Sequence, residues 1–118
     1  MTIEEIIEVN NIGRYYYLKD FNAYVFPKEE VIKIIQFLKE EFYPILGGDV
    51  FLQENGCFSI AYDFWRCNQE KNENPYDFLN RSCDMAMTFV LERAAHDEYL
   101  YEVCFKQWMF NVCSFHLF

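Results

Sequence analysis

Few residues of this chain could do acid–base or nucleophilic chemistry, and they are widely spaced. His96 and His116 are the two histidines, and neither has the H-x-x-x-H or H-E-x-x-H spacing of a metal site. The cysteines are odd in number and never closer than nine positions, which excludes a C-x-x-C redox pair and a zinc knuckle; they are Cys57, Cys67, Cys83, Cys104 and Cys113. We therefore expect no metal, and reduced thiols that are mostly buried.

Nucleophilic and carboxylate catalysis are weakly supported. A cysteine hydrolase needs a low-pKa thiol near a helix N-terminus, whereas Cys83 falls mid-helix on an apolar stripe. Asp49 and Asp63 could form a carboxylate pair, but among nineteen acidic residues such pairs arise by chance. Gly47-Gly48 lacks the rest of a phosphate loop and is interpreted as a turn after a helix. We expect no catalytic residues and no cofactor; a small hydrolase using Asp49, Asp63 or His96 is the weaker alternative.

The first half of the chain predicts two helices with aromatic strands between them. Thr2 and Glu5 have the spacing of a capping box, which predicts a short helix to about Val9. The aromatic run over residues 15–26 predicts one strand or a bent pair. Pro27 predicts the first turn of a second helix that stops before Pro44. Its apolar stripe comprises Val31, Ile34, Ile35, Leu38 and Phe42.

A hairpin signal follows. Asn55-Gly56 separates two β-prone runs, Val50–Glu54 and Cys57–Trp65, and suits a type I′ turn because both of its central residues need a positive φ. Apolar residues on both faces of the second run predict an interior strand. The predicted pairs are Gln53 with Phe58, Phe51 with Ile60, and Asp49 with Tyr62.

The second half predicts a third helix and a further strand. Asn74-Pro75 and Asp77 supply an N-cap, an N1 proline and an N3 acid for a helix over residues 75–95. Alternation over residues 99–106 predicts a strand, and residues 108–118 fit either an edge strand or a short helix. We predict an α+β fold: a single domain over residues 1–118, with an antiparallel sheet and a central β-hairpin packed against two main helices and a short N-terminal helix.

Composition and charge limit the function classes. The chain has 118 residues, 53% of them hydrophobic, and a net charge of −9, which indicates one small folded domain rather than a disordered chain. An acidic protein repels phosphate backbones and anionic membranes, so we expect neither nucleic acid nor membrane as a partner. The acidic N-terminus and the lack of a long apolar run predict a cytoplasmic protein. Residues 40–118 carry a net charge of −8.

The order of motifs carries a family resemblance. Residues 43–50, YPILGGDV, are followed by the hairpin into residues 62–67, YDFWRC, by a helix with Ser82 and Ala86, and by the strand over residues 99–103. This order resembles a family of bacterial polymorphic-toxin immunity proteins, immunity protein family forty, over roughly residues 24–106. The resemblance implies a small cytoplasmic α+β protein without enzymatic activity. It would bind and neutralise a cognate toxin domain from a competing cell, as in contact-dependent inhibition.

Acidic residues in the second half are the candidates for toxin binding, since opposite charge speeds encounter with a basic partner. The candidates for toxin binding are Trp65 and the acidic residues Asp49, Asp63, Glu70, Glu73, Asp77, Glu92, Asp97 and Glu98. Trp65, Tyr76 or Tyr99 would serve as the aromatic anchor. We predict that Gly47-Gly48, Asp49, Asp63 and Trp65 are in part a structural junction, with Asp49 capping local N–H groups and the Trp65 ring packing against the sheet; the alternative makes Asp49, Asp63 and Trp65 the toxin-facing hot spot. An acidic secretion chaperone is the alternative binding function. The sequence leaves monomer and dimer open.

Overall fold

The computed structural model describes residues 1–107, which form three α-helices and six β-strands. The helices are α1 (Ile3–Val9), α2 (Lys28–Glu40) and α3 (Pro75–Glu92). The strands are β1 (Tyr16–Leu18), β2 (Ala23–Val25), β3 (Ile45–Glu54), β4 (Cys57–Arg66), β5 (Tyr99–Tyr101) and β6 (Cys104–Phe105). All strand pairs are antiparallel, so the α+β prediction is confirmed. The predicted extent of one domain over residues 1–118 includes residues outside the described part and stays a prediction.

The N-terminal elements follow the sequence closely. Thr2 and Glu5 form the predicted capping box, with reciprocal bonds of 3.1 and 2.8 Å between side chain and backbone N–H. The aromatic run forms the bent pair β1–β2, joined by a 3-10 turn over Lys19–Phe21. Asn22 closes that turn in the left-handed region, a conformation that asparagine tolerates better than most residues.

Helix α2 is shorter than predicted at both ends. Pro27 is its N-cap rather than a residue of the first turn, and the Pro27 carbonyl accepts from the N–H groups of Glu30 and Val31. The helix ends at Glu40, and Phe42 has a φ of 64° and an exposed side chain, so the prediction that Phe42 extends the buried stripe was wrong. The rest of the stripe is buried, and it packs against the sheet and α3.

The β3–β4 hairpin has the predicted turn, with positive φ at both Asn55 and Gly56. The pairs Gln53–Phe58 and Phe51–Ile60 are confirmed. The predicted pair of Asp49 with Tyr62 was wrong, because Asp49 lies opposite Phe64. A bulge shifts the register, and Tyr62 adopts a φ of 58° within it, so β4 uses two more residues than β3 over this stretch.

Two other expectations about this hairpin were wrong. Gly47-Gly48 lies within β3, which begins at Ile45, rather than in a turn after α2. Within residues 1–107, strand β4 is an edge strand of the sheet ordered β4-β3-β5 and not an interior strand. The apolar residues on its two faces misled the prediction: one face packs towards α3, and the other keeps exposed aromatic side chains.

Helix α3 begins as predicted, with the Asn74 side chain accepting from the Asp77 N–H at 2.9 Å. It ends at Glu92 rather than near residue 95. The predicted strand over residues 99–106 is split into β5, which pairs with β3 at residues 50–52, and β6, which pairs with it at Ile45 and Gly47. The prediction of either an edge strand or a short helix for residues 108–118 lies outside the described residues.

The core lies mainly between the sheet and the helices. Its larger cluster joins Ile6 of α1, Ile34 of α2, Val90 of α3 and Tyr101 of β5. A smaller cluster on the other face of the sheet joins the β1–β2 pair to Phe51 and Leu100, and it covers one end of that face. The buried residues of this smaller cluster do not extend to the opposite end of the same sheet face.

Candidate functional site

The candidates Asp63 and Trp65 belong to one stack between β4 and α3. The Asp63 carboxylate accepts two hydrogen bonds from Arg93, at 2.6 and 3.3 Å. The Arg93 guanidinium lies 3.4 Å from the centre of the Phe89 ring, and that ring lies 4.6 Å from the Trp65 ring. Trp65 is 5% exposed. These contacts hold α3 against the edge strand.

Asp49 lies on the opposite face of the sheet. Its Oδ1 atom accepts from Arg66 Nη2 at 3.3 Å. Among residues 1–107, no backbone N–H donates to the Asp49 carboxylate, so the prediction that Asp49 caps local N–H groups was wrong for the described residues. The same guanidinium lies 4.9 Å from the centre of the Phe64 ring. Half-buried Glu102 lies beside Asp49; burial, and then the negative charge of Asp49, raise the pKa of Glu102 to about 7.

Glu73 holds the loop before α3 against the helix. Its two carboxylate oxygens accept from Arg81 at 2.8 and 2.7 Å, and Arg81 also donates to the carbonyl of Asn68 at 2.7 Å. The backbone N–H of Glu70 donates to Glu73 at 3.0 Å. The hydrogen bonds from Arg81, with that from Glu70, lower the pKa of Glu73 to about 2.

The remaining candidates have exposed side chains: Glu70, Asp77, Glu92, Asp97 and Glu98. They lie in the loop before α3, in its first turn, at its end and in the turn that leads to β5. The Glu98 carboxylate is 3.4 Å from the His96 ring nitrogen. Glu92 also lies 3.7 Å from Arg93, so the structure divides the nine candidates by exposure rather than by the presence of a partner: these five side chains are exposed, and the other four are at least partly buried.

A shallow groove of about 570 Å³ runs along the outer side of α3. Its lining includes Met85, Phe89 and three charged residues, Arg81, Asp84 and Glu92. Among residues 1–107, the groove is lined by no histidine or cysteine, so the described residues supply no general base beside a thiol there. Its apolar floor and charged rim are suited to protein contact rather than acyl transfer.

The hydrolase alternative gains nothing from the described residues. Asp49 and Asp63 lie on opposite faces of the sheet, each bound to its own arginine, so they do not act on one substrate together. Cys67 and Cys83 are buried, which raises the pKa of both thiols, that of Cys83 to about 11. The expectation of mostly buried thiols holds for these two, whereas Cys57 and Cys104 are exposed.

The described residues form neither a metal site nor a membrane-spanning helix. Among residues 1–107, no group of histidine, cysteine or acidic side chains is arranged to hold a metal ion. Within the same residues, no helix is long and apolar enough to cross a membrane.

Comparison with known proteins gives one decisive match. The family model described as Immunity protein 40 matches residues 10–105, which is most of the chain. The chain belongs to the immunity protein 40 family. The resemblance seen in the sequence is thereby confirmed, and the match begins before the stretch that carried it. No curated protein and no solved structure matches the chain. Membership of an immunity protein family implies a cognate toxin as partner and indicates a non-enzymatic role.

Some residues of this immunity protein 40 family member were missed by the sequence analysis. Arg93 and Arg81 hold the candidate acids Asp63 and Glu73, but both pairs span separate elements, and charge alone does not predict such partners. Tyr62 was expected to be an ordinary strand residue, and it is 88% exposed at the bulge. Nothing in its residue type could have predicted that position.

Proposed function

We propose that this chain is a stoichiometric inhibitor that acts in the cytoplasm of a bacterial cell by binding a cognate, basic toxin domain through an acidic surface. The observation that carries the proposal is the family match over residues 10–105. The family match favours an inhibitor over a secretion chaperone. Composition alone does not distinguish these two kinds of protein.

The charge of the chain supports a basic partner. The net charge is −9, and residues 40–118 contribute −8 of it. A field of one sign raises the rate of encounter with a partner of the opposite sign and disfavours partners of like sign. A toxin domain that cuts or binds nucleic acid has a basic active site, and an acidic inhibitor is complementary to such a site.

The internal contacts sort the candidates by role. Asp63, Glu73 and Trp65 hold elements together, so we assign them to the structure. Glu70, Asp77, Glu92, Asp97 and Glu98 have exposed side chains, and we assign to them the long-range attraction of the toxin. Asp49 is bound by Arg66 yet partly exposed, so it remains a contact candidate.

Affinity needs desolvated anchors as well as charge. Trp65 was the first aromatic candidate, and its burial assigns it to the core instead. Tyr76 is 52% exposed in the first turn of α3, and Tyr99 is half-buried and stacks on the His96 ring at 4.5 Å. Tyr76 and Tyr99 therefore remain as anchors near the exposed acids.

The test is neutralisation in living cells. The toxin domain encoded next to this gene is expressed alone, with this chain, and with a variant carrying Glu70→Lys, Glu92→Lys and Asp97→Lys. We expect the wild-type chain to restore growth and the triple variant to restore it poorly. A matched control carries Glu8→Lys, Asp20→Lys and Glu29→Lys, which change the net charge equally outside residues 40–106. Equal killing with and without the wild-type chain contradicts the inhibitor proposal; full protection by the first triple variant contradicts only the acidic surface.

A further inference from the structure

Within residues 1–107, one end of the outer sheet face is uncovered, and its residues combine aromatic and acidic groups. The β1–β2 pair covers the end near Phe51 and Leu100. The other end, which we term the open sheet face, is formed by Asp49, Tyr62, Phe64, Arg66, Glu102 and Cys104. Asp49 lies opposite Phe64 in the ladder, and the Phe64 side chain points away from α3, since its neighbours Asp63 and Trp65 contact α3.

The exposure of this face is costly for a free protein. Tyr62 is 88% exposed and Phe64 57% exposed, on a strand whose outer edge has no strand partner within the described residues. The bulge places Tyr62 at a φ of 58°, where a bulky residue is unusual. Exposed aromatic residues on an edge strand are typical of a binding surface, because they otherwise promote aggregation.

Charge identifies the kind of partner. Asp49 and Glu102 lie side by side on the face with Arg66 as the neighbouring cation. Among residues 1–107, no lysine or arginine nitrogen lies within 4.0 Å of the Glu102 carboxylate. Arg66 is paired with Asp49 at 3.3 Å, so the half-buried Glu102 carboxylate is stabilised further when a partner supplies a cation in direct contact.

We propose that the open sheet face is where the toxin domain docks, with a lysine or arginine of the toxin seated over the Asp49–Glu102 carboxylate pair. Apolar side chains of the toxin pack against Tyr62 and Phe64. This inference rests on the proposed function, since it names the contact face of the same inhibitor. The exposed acids near α3 then govern the association rate, and the open sheet face governs dissociation.

The state of Glu102 gives the face a pH signature. The charged or titratable groups that face it are Asp49 on β3, Arg66 on β4 and Cys104 on β6. Its raised pKa means that the carboxyl group gains a proton as pH falls through about 7, and the neutral form attracts a cation less. Toxin affinity should therefore fall up to about tenfold between pH 8 and pH 6 in the wild-type chain and less in Glu102→Gln.

The experiment measures binding of the catalytically inactivated toxin domain encoded next to this gene, by surface plasmon resonance. Tyr62→Gly suits the left-handed backbone, so it should fold while removing the ring. We expect Tyr62→Gly and Phe64→Ala each to raise the dissociation rate by about thirtyfold or more, as for interface hot spots. Tyr17→Ala, on the exposed surface of β1, and Glu41→Gln are the matched controls for the aromatic and acidic changes, with melting temperatures recorded throughout.

The outcomes separate this inference from the proposed function. If the wild-type chain binds the toxin and all face variants dissociate at the wild-type rate, the docking face is wrong and the inhibitor function stands. If the wild-type chain does not bind the toxin, the inhibitor function fails and the docking face fails with it. A concentration-dependent dimer that Tyr62→Gly abolishes, seen by light scattering, assigns the face to a second copy of the chain and also overturns the inference.

Discussion

Gly48 lies where the Trp65 ring crosses β3. A Cβ atom at this position would overlap both the Trp65 ring and the carbonyl oxygen of Glu102. The glycine is therefore required by close approach between neighbouring strands and not by a turn. It lets Trp65 reach the Phe89 ring on α3, so one residue without a side chain positions the contact between sheet and helix.

Gly48→Ala should destabilise the protein strongly. The added methyl group meets backbone and a buried ring, neither of which yields without moving a strand, and such overpacking costs about 3 kcal/mol. Gly13→Ala is the matched control, because nothing lies within 4 Å of its added Cβ. Urea denaturation of both variants measures the difference. Equal midpoints for the two variants would contradict the close approach.

The roles of single residues were harder to predict than their type. The sequence singled out Asp63 and Trp65, but Asp63 finds its partner Arg93 30 residues away. An ion pair across two elements depends on how those elements pack, which spacing along the chain does not encode. Glu102 was missed for the same reason, since only the fold brings it beside Asp49.

Hydrogen bonds from Arg81, which we term the Arg81 clamp, hold the loop between β4 and α3 against the helix. Arg81, on the second turn of α3, binds the Glu73 carboxylate with two hydrogen bonds and the Asn68 carbonyl with a third. Cys67 lies at the start of this loop, with its sulfur 3.3 Å from Arg81 Nη1. The loop that carries the exposed acid Glu70 is therefore fixed relative to α3.

The Arg81 clamp predicts that the folded protein loses the stability contributed by the Glu73 carboxylate in acid. The pKa of Glu73 is about 2 in the folded protein and about 4.3 in an unfolded chain, so its contribution is complete above about pH 4.5 and is lost as pH falls towards 2. Glu73→Gln should melt below the wild type at pH 7, with the gap closing between pH 4.5 and 2. Glu8→Gln is the control, and we expect its melting temperature to follow the wild type throughout. A gap for Glu73→Gln that stays constant with pH would contradict the clamp.

Elements with strong local signals were predicted well, and those set by packing were not. The capping box, the Asn55-Gly56 turn and the Asn74 N-cap each depend on a few neighbouring residues, and all three are confirmed. The register beyond the turn failed at the Tyr62 bulge, because a bulge is stabilised by the surrounding sheet rather than by its own sequence. The edge position of β4 was missed because period-two patterns do not show which strand lies beside another.

At the scale of the whole molecule, charge and shape contribute to different steps of toxin binding. The described residues extend over 45 × 26 × 24 Å, so an approaching toxin meets the field of many acids before it touches any one of them. The exposed acids near α3 require no fixed geometry to contribute to this field. The docked complex depends instead on a few groups in fixed positions, which the sheet provides.

The association rate with the toxin domain should therefore depend strongly on salt. Exposed charges are screened beyond about 10 Å at 0.1 M and about 3 Å at 1 M ionic strength, so the rate should fall between 0.05 and 0.5 M NaCl. The variant with Glu70→Lys, Glu92→Lys and Asp97→Lys should associate more slowly at low salt and show a shallower salt slope. Stopped-flow measurement of the rate against ionic strength tests this. A wild-type rate that does not change with salt would contradict electrostatic steering, whereas a slope unchanged by the triple variant would assign the steering to other acids.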